Sequence, residues 1–311
     1  MVYDLVIIGG GPAGVAAGIY AARKKLKTLF LTTNFGGQSL VSPEIQNWIG
    51  TKSVSGEELA GRLHEHLFVY NAPPDFVIKE STKVEAVTKS DSVFKVTEEN
   101  GAVNKTKTIL IATGANRRRL NVPGAKEFEQ KGITYCASCD GPLFAGKNVA
   151  VIGGGNAGFE SAIQLLAYAK SVTLLHHHQK PKADKVLMEK VKEHPNFKLL
   201  LNAEVKEIRG NQFVKSLVWQ DLATGHLHEL VVKGVFVEIG LVPNTALVKD
   251  LVELNEHQMI KVDPRTQRTS LSGIWAAGDC TDGFYHQNNI AAGDAVKAAE
   301  DIYNYLHLKG K

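Results

Sequence analysis

Two stretches of the chain repeat one another. Asp4-Leu-Val-Ile-Ile-Gly-Gly-Gly-Pro-Ala-Gly14 and Asn148-Val-Ala-Val-Ile-Gly-Gly-Gly-Asn-Ala-Gly158 each read as an apolar strand, a glycine turn and the start of a helix. Gly9, Gly11 and Gly14 in the first, and Gly153, Gly155 and Gly158 in the second, satisfy G-x-G-x-x-G. The spacing has a physical basis. The first glycine permits the tight turn, the second lets a pyrophosphate approach the backbone, and the third lets helix pack on strand. The helix start then faces the phosphates. One such turn is weak evidence; two in strand–turn–helix context predict two dinucleotide-binding units.

Each turn is followed by an expected helix, Ala13 to about Lys24 and Asn156 to about Lys170. Short apolar strands come next, at Thr28–Leu31 and Ser171–Leu175. Strands alternating with helices predict an α/β fold of two Rossmann-like, doubly wound units. Between them, Val84–Val96 and Thr106–Thr113 read as strands around a polar turn at Glu98–Asn104. Val122-Pro-Gly124 and Gly240-Leu-Val-Pro-Asn244 read as breaks that bracket the second unit, as if it were inserted into the first. The expected division is 1–116, 117–243 and 244–311. The last segment, with Ile274-Trp-Ala-Ala-Gly-Asp279 and an apolar helix near Ala291–Leu306, completes the first domain.

Cys136 and Cys139 stand in Tyr135-Cys-Ala-Ser-Cys-Asp140, shortly before the second turn. A Cys-x-x-Cys pair can close a small disulfide ring, and a helix start or a cation lowers one thiol's pKa into the reactive range. Beside a dinucleotide site the pair suggests electrons passed to a disulfide. A zinc reading needs a second pair, and only Cys280 remains. Cys280 reads as a small buried residue. Asp140 is the natural proton donor and acceptor of the pair, or else a helix cap.

The 311 residues suffice for about two domains. A net charge of +4 is mild. Arg117-Arg118-Arg119 is the longest basic run, so no nucleic-acid partner is expected. Three cysteines make no secreted disulfide framework. Strand-like sequence begins at Val2 and no apolar run approaches the ~20 residues of a membrane span. A cytoplasmic, non-membrane protein is the expectation.

Together these residues resemble the low-molecular-weight thioredoxin reductase family. They come nearest to the FAD/NAD reductase portion of the alkyl hydroperoxide reductase flavoprotein subunit. The likeness covers nearly the whole chain and rests on Gly9-Gly-Gly-Pro-Ala-Gly14, Gly36-Gly-Gln38, Ala112-Thr-Gly114, Cys136-x-x-Cys139-Asp140, Gly153-Gly-Gly-Asn156 and Ala277-Gly-Asp279. Tyr135–Phe144 and Lys182-Ala-Asp-x-Val186 look especially like the peroxide-reductase branch. The resemblance implies FAD held by Gly9, Gly11, Pro12, Ala13, Gly14, Gly37, Gln38, Asn47, Thr113, Gly114, Gly278, Asp279, His286 and Gln287. It implies NADPH or NADH at Gly153, Gly155, Asn156, Ala157, Gly158, His176, His177, His178 and Lys182.

It also implies a cycle. Reduced flavin attacks the ring at Cys139, Cys136 attacks the disulfide of a partner, and Cys139 resolves the mixed disulfide. A domain rotation is implied, with hinges near Asn116–Pro123 and Gly240–Asn244. Leu143 and Phe144 are candidates for a docking patch or for ordinary core. The peroxide-reductase branch carries an extra thioredoxin-like module, and none is expected here. A separate thioredoxin-like or glutaredoxin-like carrier is therefore expected, and relatives are dimers, so a homodimer is too.

The chain departs from the family at the donor site. An acid near the end of the second strand favours NADH, and an Arg favours NADPH. Here Leu175 is followed by His176-His-His-Gln-Lys-Pro-Lys182, with no Asp or Glu between Glu160 and Asp184. Three readings stay open. Lys180 and Lys182 with protonated histidines hold a 2′-phosphate; or the site takes NADH indifferently; or a protein such as ferredoxin reduces the flavin. The intact second turn favours NAD(P)H. The usual ribose acid is missing from the first unit too, since no Asp or Glu lies between Arg23 and Pro43. Adjacent histidines point in different directions, so no metal is expected. A flavin-bound redox sensor is the non-catalytic alternative. His286 stands where relatives often carry Arg or Lys, which would make the flavin contacts pH-sensitive or change nothing.

Overall fold

The computed structural model describes residues 1–42 and 44–308. From the N-terminus the chain runs β1 (Val2–Gly10), α1 (Pro12–Arg23), β2 (Thr28–Phe35), α2 (Gly56–Phe68), β3 (Phe76–Lys79), β4 (Val84–Ser90), β5 (Val93–Glu98) and β6 (Val103–Ile111). Hydrogen bonding orders the strands β3-β2-β1-β6-β5-β4. The β1, β2 and β3 pairings and the β1–β6 pairing are parallel; β4–β5 and β5–β6 are antiparallel. Successive residues of β1 enter opposite cores. Leu5 and Ile7 pack with α1 and Phe30, while Val6 and Ile8 pack with Leu29, Val96 and Ile109. A strand buried on both faces needs an unbroken apolar run, and Leu5–Ile8 supplies it.

The segment expected as one strand over Val84–Val96 is a hairpin, β4 and β5. The polar run Thr88–Ser92 carries the turn, and Asp91 turns the chain with φ 52°. Asp tolerates that left-handed conformation better than most residues.

β7 (Ala115–Arg117) leads out of this unit. There follow β8 (Ile133–Thr134), α3 (Ala137–Asp140), β9 (Asn148–Ile152), α4 (Asn156–Leu166), β10 (Ser171–Leu175), α5 (Lys185–Lys192), β11 (Phe197–Leu200), β12 (Ala203–Gly210), β13 (Val214–Asp221), β14 (Leu227–Val231) and β15 (Gly234–Val237). The sheet order β11-β10-β9-β15-β8 is parallel throughout. β12, β13 and β14 form an antiparallel meander that covers one face through Val205, Ile208, Val214 and Leu217. α4 and α5 cover the other through Phe159, Leu165 and Val191. α4 stops at Leu166, short of the expected Lys170. Residues beyond it bond elsewhere: Gly146 N–H donates to the Tyr168 carbonyl at 2.9 Å, and Lys170 N–H to that of Lys147 at 2.9 Å.

β16 (Leu241–Pro243) leads back and pairs with β7. β17 (Ile274–Ala276) then joins β6 in parallel, and α6 (Asn288–Leu308) packs on α1 through Ala291, Ala295 and Ala299. Small side chains let these helices approach closely. The chain thus divides into two compact units, Met1–Asn116 with Val242–Lys311, and Arg117–Leu241. Both are Rossmann-like, and the second lies in sequence between the halves of the first.

Candidate active site

The first glycine turn opens into a cavity of about 490 Å³ in the first unit. Gly9 has φ +122°, and an added Cβ there would lie 2.1 Å from the Ala112 carbonyl oxygen. Gly14 is as constrained, since its Cβ would meet the Gly9 oxygen at 1.8 Å. Gly11 is different: nothing lies within 4 Å of its would-be Cβ. The first and third glycines therefore serve packing, and the middle one leaves a cradle open at the start of α1. That is the division of labour a pyrophosphate site needs.

Gly9, Gly11, Pro12, Ala13, Gly37, Gln38, Thr113, Gly114, Gly278 and Asp279 line this cavity. Gly278 and Asp279 also line a neighbouring cavity of about 100 Å³ with His286, whose Nδ1 lies 3.4 Å from Asp279 Oδ1. Asn47 and Gln287 do not line the larger cavity. They bond each other, Nδ2 of Asn47 donating to Oε1 of Gln287 at 3.0 Å.

Sequence reasoning missed a group of asparagines on the cavity wall. Asn116 Nδ2 donates to Asn244 Oδ1 at 2.9 Å, and Gln38 Nε2 reaches Asn116 Oδ1 at 3.4 Å. Asn244 Nδ2 donates to the Thr113 carbonyl at 2.9 Å, while Thr113 Oγ1 donates to the Asn244 carbonyl at 2.7 Å. Thr32 and Asn34, at the end of β2, were missed as well, although both line the cavity.

The second turn repeats the geometry of the first. Gly153 has φ +126° and would set a Cβ 2.1 Å from the Glu238 carbonyl oxygen; a Cβ on Gly158 would meet Gly153 O at 1.9 Å; Gly155 is open. Asn156 starts α4 and fastens the far side of the turn. Its Nδ2 donates to Asp184 Oδ2 at 3.1 Å, and its Oδ1 accepts from Asp184 N–H at 2.9 Å. The histidine triplet divides. His176 is buried, with Nε2 3.1 Å from the Lys180 carbonyl, while His177 and His178 are exposed. Lys182 is exposed, and its N–H donates to the Gly154 carbonyl at 2.8 Å. Burial, aided by the positive charge around it, holds the His176 pKa below the ordinary histidine value.

Cys136 and Cys139 are joined as a disulfide with Cα atoms 5.3 Å apart. Cys136 is the N-cap of α3, and its sulfur accepts from Cys139 N–H at 3.1 Å. Beside the ring, Asp140 accepts from Thr134 Oγ1 through Oδ2. Its buried Oδ1 has no partner among the described residues. Burial raises the Asp140 pKa above the ordinary aspartate value, against the lowering effect of the Thr134 bond and of Arg117. Phe144 packs edge-on against Phe236 at 5.3 Å, so it belongs to the core of this unit, whereas Leu143 is exposed. Cys280 is fully buried in the first unit, among β6 and β17 residues.

Residues 3–299 match the family model described as pyridine nucleotide-disulphide oxidoreductase. The chain is 44% identical over 304 residues to the NADH dehydrogenase of Bacillus subtilis (strain 168), covering 98% of this chain and 58% of that protein. It is 41% identical over 306 residues to the F subunit of alkyl hydroperoxide reductase from Escherichia coli (strain K12), again covering 98% and 58%. The chain therefore spans under three-fifths of the length of these two relatives. Among solved structures, thioredoxin reductase from Streptococcus pyogenes MGAS5005 matches with a TM-score of 0.89 and 34% identity over 99% of both chains. Among the described residues no helix is long and apolar enough to cross a membrane.

Proposed function

The chain belongs to the pyridine nucleotide-disulphide oxidoreductase family, and within it we propose an FAD-dependent protein-disulfide reductase with NAD(P)H as electron donor. Its acceptor is the disulfide of a small thioredoxin-like or glutaredoxin-like carrier. The observation that carries the reading is the Cys136–Cys139 ring beside a carboxyl group whose Oδ1 is unpartnered. A flavin held in the 490 Å³ cavity would supply two-electron transfer between a nicotinamide and a disulfide. Residues fit that group: Gly11 and Gly114 leave space that a Cβ would take, and Asp279 and Thr113 would offer polar atoms to it. Gly153, Gly155 and Gly158 repeat the cradle for the nicotinamide dinucleotide.

After the ring takes up two electrons, Cys136 is the attacking thiolate. The Cys139 N–H already points at its sulfur, which favours the anion there. The Cys136 thiolate attacks one sulfur of the carrier disulfide; a mixed disulfide forms and the second carrier sulfur leaves as thiolate. Cys139 then attacks the Cys136 sulfur, the ring closes again, and the carrier departs as a dithiol. Asp140 moves the protons. Burial favours its protonated form, so Oδ1 holds a proton for a leaving thiolate and takes one back from Cys139.

The test is substitution. Cys136→Ser and Cys139→Ser should each abolish reduction of protein disulfides while the protein stays yellow and its absorbance near ~450 nm still bleaches with NADH or NADPH. Full protein-disulfide activity in both variants would end the proposal.

A further inference from the structure

A second half-buried carboxyl, Glu238, stands near the disulfide ring and has no part in the cycle above. It follows β15 directly, and β15 pairs with β8 through Phe236 and Thr134. Two residues past that pair the chain reaches Glu238 from one strand and Cys136 from the other. Helix α4 ties both ends down. Ser161 Oγ donates to Glu238 Oε1 at 2.8 Å. Further along the helix, Gln164 Oε1 accepts at 2.9 Å from Oγ of Ser138, which lies between the two cysteines. Residues three apart share one face of a helix, so the same face of α4 holds both the carboxyl and the ring. Glu238 also abuts the second glycine turn. Its carbonyl oxygen is the atom that a Cβ on Gly153 would meet at 2.1 Å.

One cation acts on both acids. Arg117 ends β7, and the following Arg118 donates its N–H at 3.0 Å to the carbonyl of Gly240, just past Glu238. The Arg117 guanidinium favours the charged form of Asp140 and of Glu238 alike, while burial opposes it at each. Glu160, on α4, sets a like charge beside Glu238, and Thr134 bonds Asp140. Arg117 is half-buried, and among the described residues it closes an ion pair with neither acid. One guanidinium neutralises one carboxylate. Ionising both acids would leave an uncompensated negative charge in a buried place.

We infer that Asp140 and Glu238 share Arg117, and that Glu238 is a positioning residue whose carboxylate keeps the cation off Asp140 while Asp140 must hold a proton for the ring. The inference rests on the reading of Asp140 as the proton carrier of a disulfide reductase. The proton count balances. When Asp140 protonates a leaving thiolate, an O–H bond breaks and an S–H bond forms. The new carboxylate draws Arg117 to itself, and Glu238, left without the cation, takes a proton from water. The two carboxyls hold one proton between them before and after, and no electrons move. When Cys139 returns a proton to Asp140, the exchange runs backwards.

NMR of the oxidised, FAD-loaded chain carrying ¹³C-carboxyl aspartate tests it without turnover. The Asp140 signal is the one missing from Asp140→Asn, and its pH titration reads proton affinity at that carboxyl. Glu238→Gln keeps an acceptor for Ser161 but frees Arg117, so proton affinity at Asp140 should fall roughly 10-fold, the lower end of what an unshared cation does. Glu238→Asp keeps the charge and should stay within about 2-fold of wild type. Arg117→Gln should raise the affinity, and adding Glu238→Gln to it should then change the affinity less than about 2-fold, because the two substitutions act through one cation. The alkaline fall of protein-disulfide reduction should move to lower pH in Glu238→Gln, as a merely structural role would not require. An Asp140 titration unchanged in Glu238→Gln, or a Glu238 effect that persists in full without Arg117, would overturn the inference and leave the disulfide-reductase reading standing. The expected NMR shifts in a chain that reduces no protein disulfide would overturn that reading instead, and with it the role of the shared charge.

Discussion

Gly9 and Gly11 stand two residues apart in one turn, and alanine should damage a different property at each. Gly11 is the N-cap of α1 at φ −75° and ψ −177°, extended backbone that any residue adopts. No atom lies within 4 Å of the new methyl group. Alanine is a poorer cap than glycine by up to ~1 kcal/mol. It also removes unfolded-chain freedom worth ~0.4–1 kcal/mol. These terms oppose each other, so the flavin-free Gly11→Ala protein should keep its stability to within ~0.5 kcal/mol. The same methyl projects where the turn opens to the cavity and holds a pyrophosphate off the backbone N–H groups. A charge-assisted hydrogen bond contributes ~1.5–3 kcal/mol, so FAD affinity should fall roughly 10- to 150-fold.

Gly9→Ala reverses the pattern. At φ +122° the residue is strained before any contact is counted, and its Cβ would sit 2.1 Å from the Ala112 oxygen and 2.6 Å from its carbonyl carbon. Strain of ~1–2 kcal/mol and a forced shift of β6 costing ~1–3 kcal/mol give a loss of ~2–5 kcal/mol without flavin. Urea midpoints of the flavin-free proteins and quenching of flavin fluorescence on binding separate the two effects. The reasoning fails if flavin-free Gly11→Ala loses more than ~2 kcal/mol, if it binds FAD within about twofold of wild type, or if Gly9→Ala unfolds at the wild-type midpoint.

Asp140→Asn should slow protein-disulfide reduction while the cysteine ring still closes. Because burial raises the carboxyl above its ordinary 3.8, the folded state prefers the protonated form, and wild type loses stability as pH rises from 3.8 through the raised folded value. The variant should therefore gain on wild type between acid and neutral pH in urea midpoints; a gap that shrinks over that range would refute the assignment. Cys280 should stay silent, since burial pushes its thiol up to about 11 and leaves it no exposure. Iodoacetamide on the reduced native protein should modify Cys136 and Cys139 but not Cys280, as read by mass spectrometry. Labelling of Cys280 in the folded protein would make it a third reactive thiol.

The glycine turns were legible because each demands a backbone conformation or a closeness that other residues refuse. Gly9 and Gly153 need positive φ, and Gly14 and Gly158 press against them. The fold class follows from those turns and the strands feeding them. The β4–β5 hairpin was not legible, because no glycine or proline marks the turn within the polar run Thr88–Ser92. The β12–β14 meander escaped for a related reason. It pairs only with itself, and its apolar face becomes evident only where Val205 and Leu217 meet the sheet of the second unit.

The candidate sites divide along the same line. Motif residues carry their own signal, whereas Asn116 and Asn244 meet at 2.9 Å across 128 positions because the chain leaves the first unit and returns to it. Both stand at the ends of the expected hinges, Asn116–Pro123 and Gly240–Asn244, but only the return path reveals that they pair on the cavity wall. The histidine triplet shows what a repeat can add. As sequence, His176, His177 and His178 form one polar segment. As backbone, the first continues the inward phase of a buried strand and packs on Gly154, while the next two turn outward. That phase is fixed by the ladder Ile152–Leu175, and the first unit carries the same ladder at Ile8–Leu31 with Thr32 packed inward. Aligning the repeats one residue past each ladder therefore separates His176 from its neighbours, and charge pattern alone would have grouped it with them.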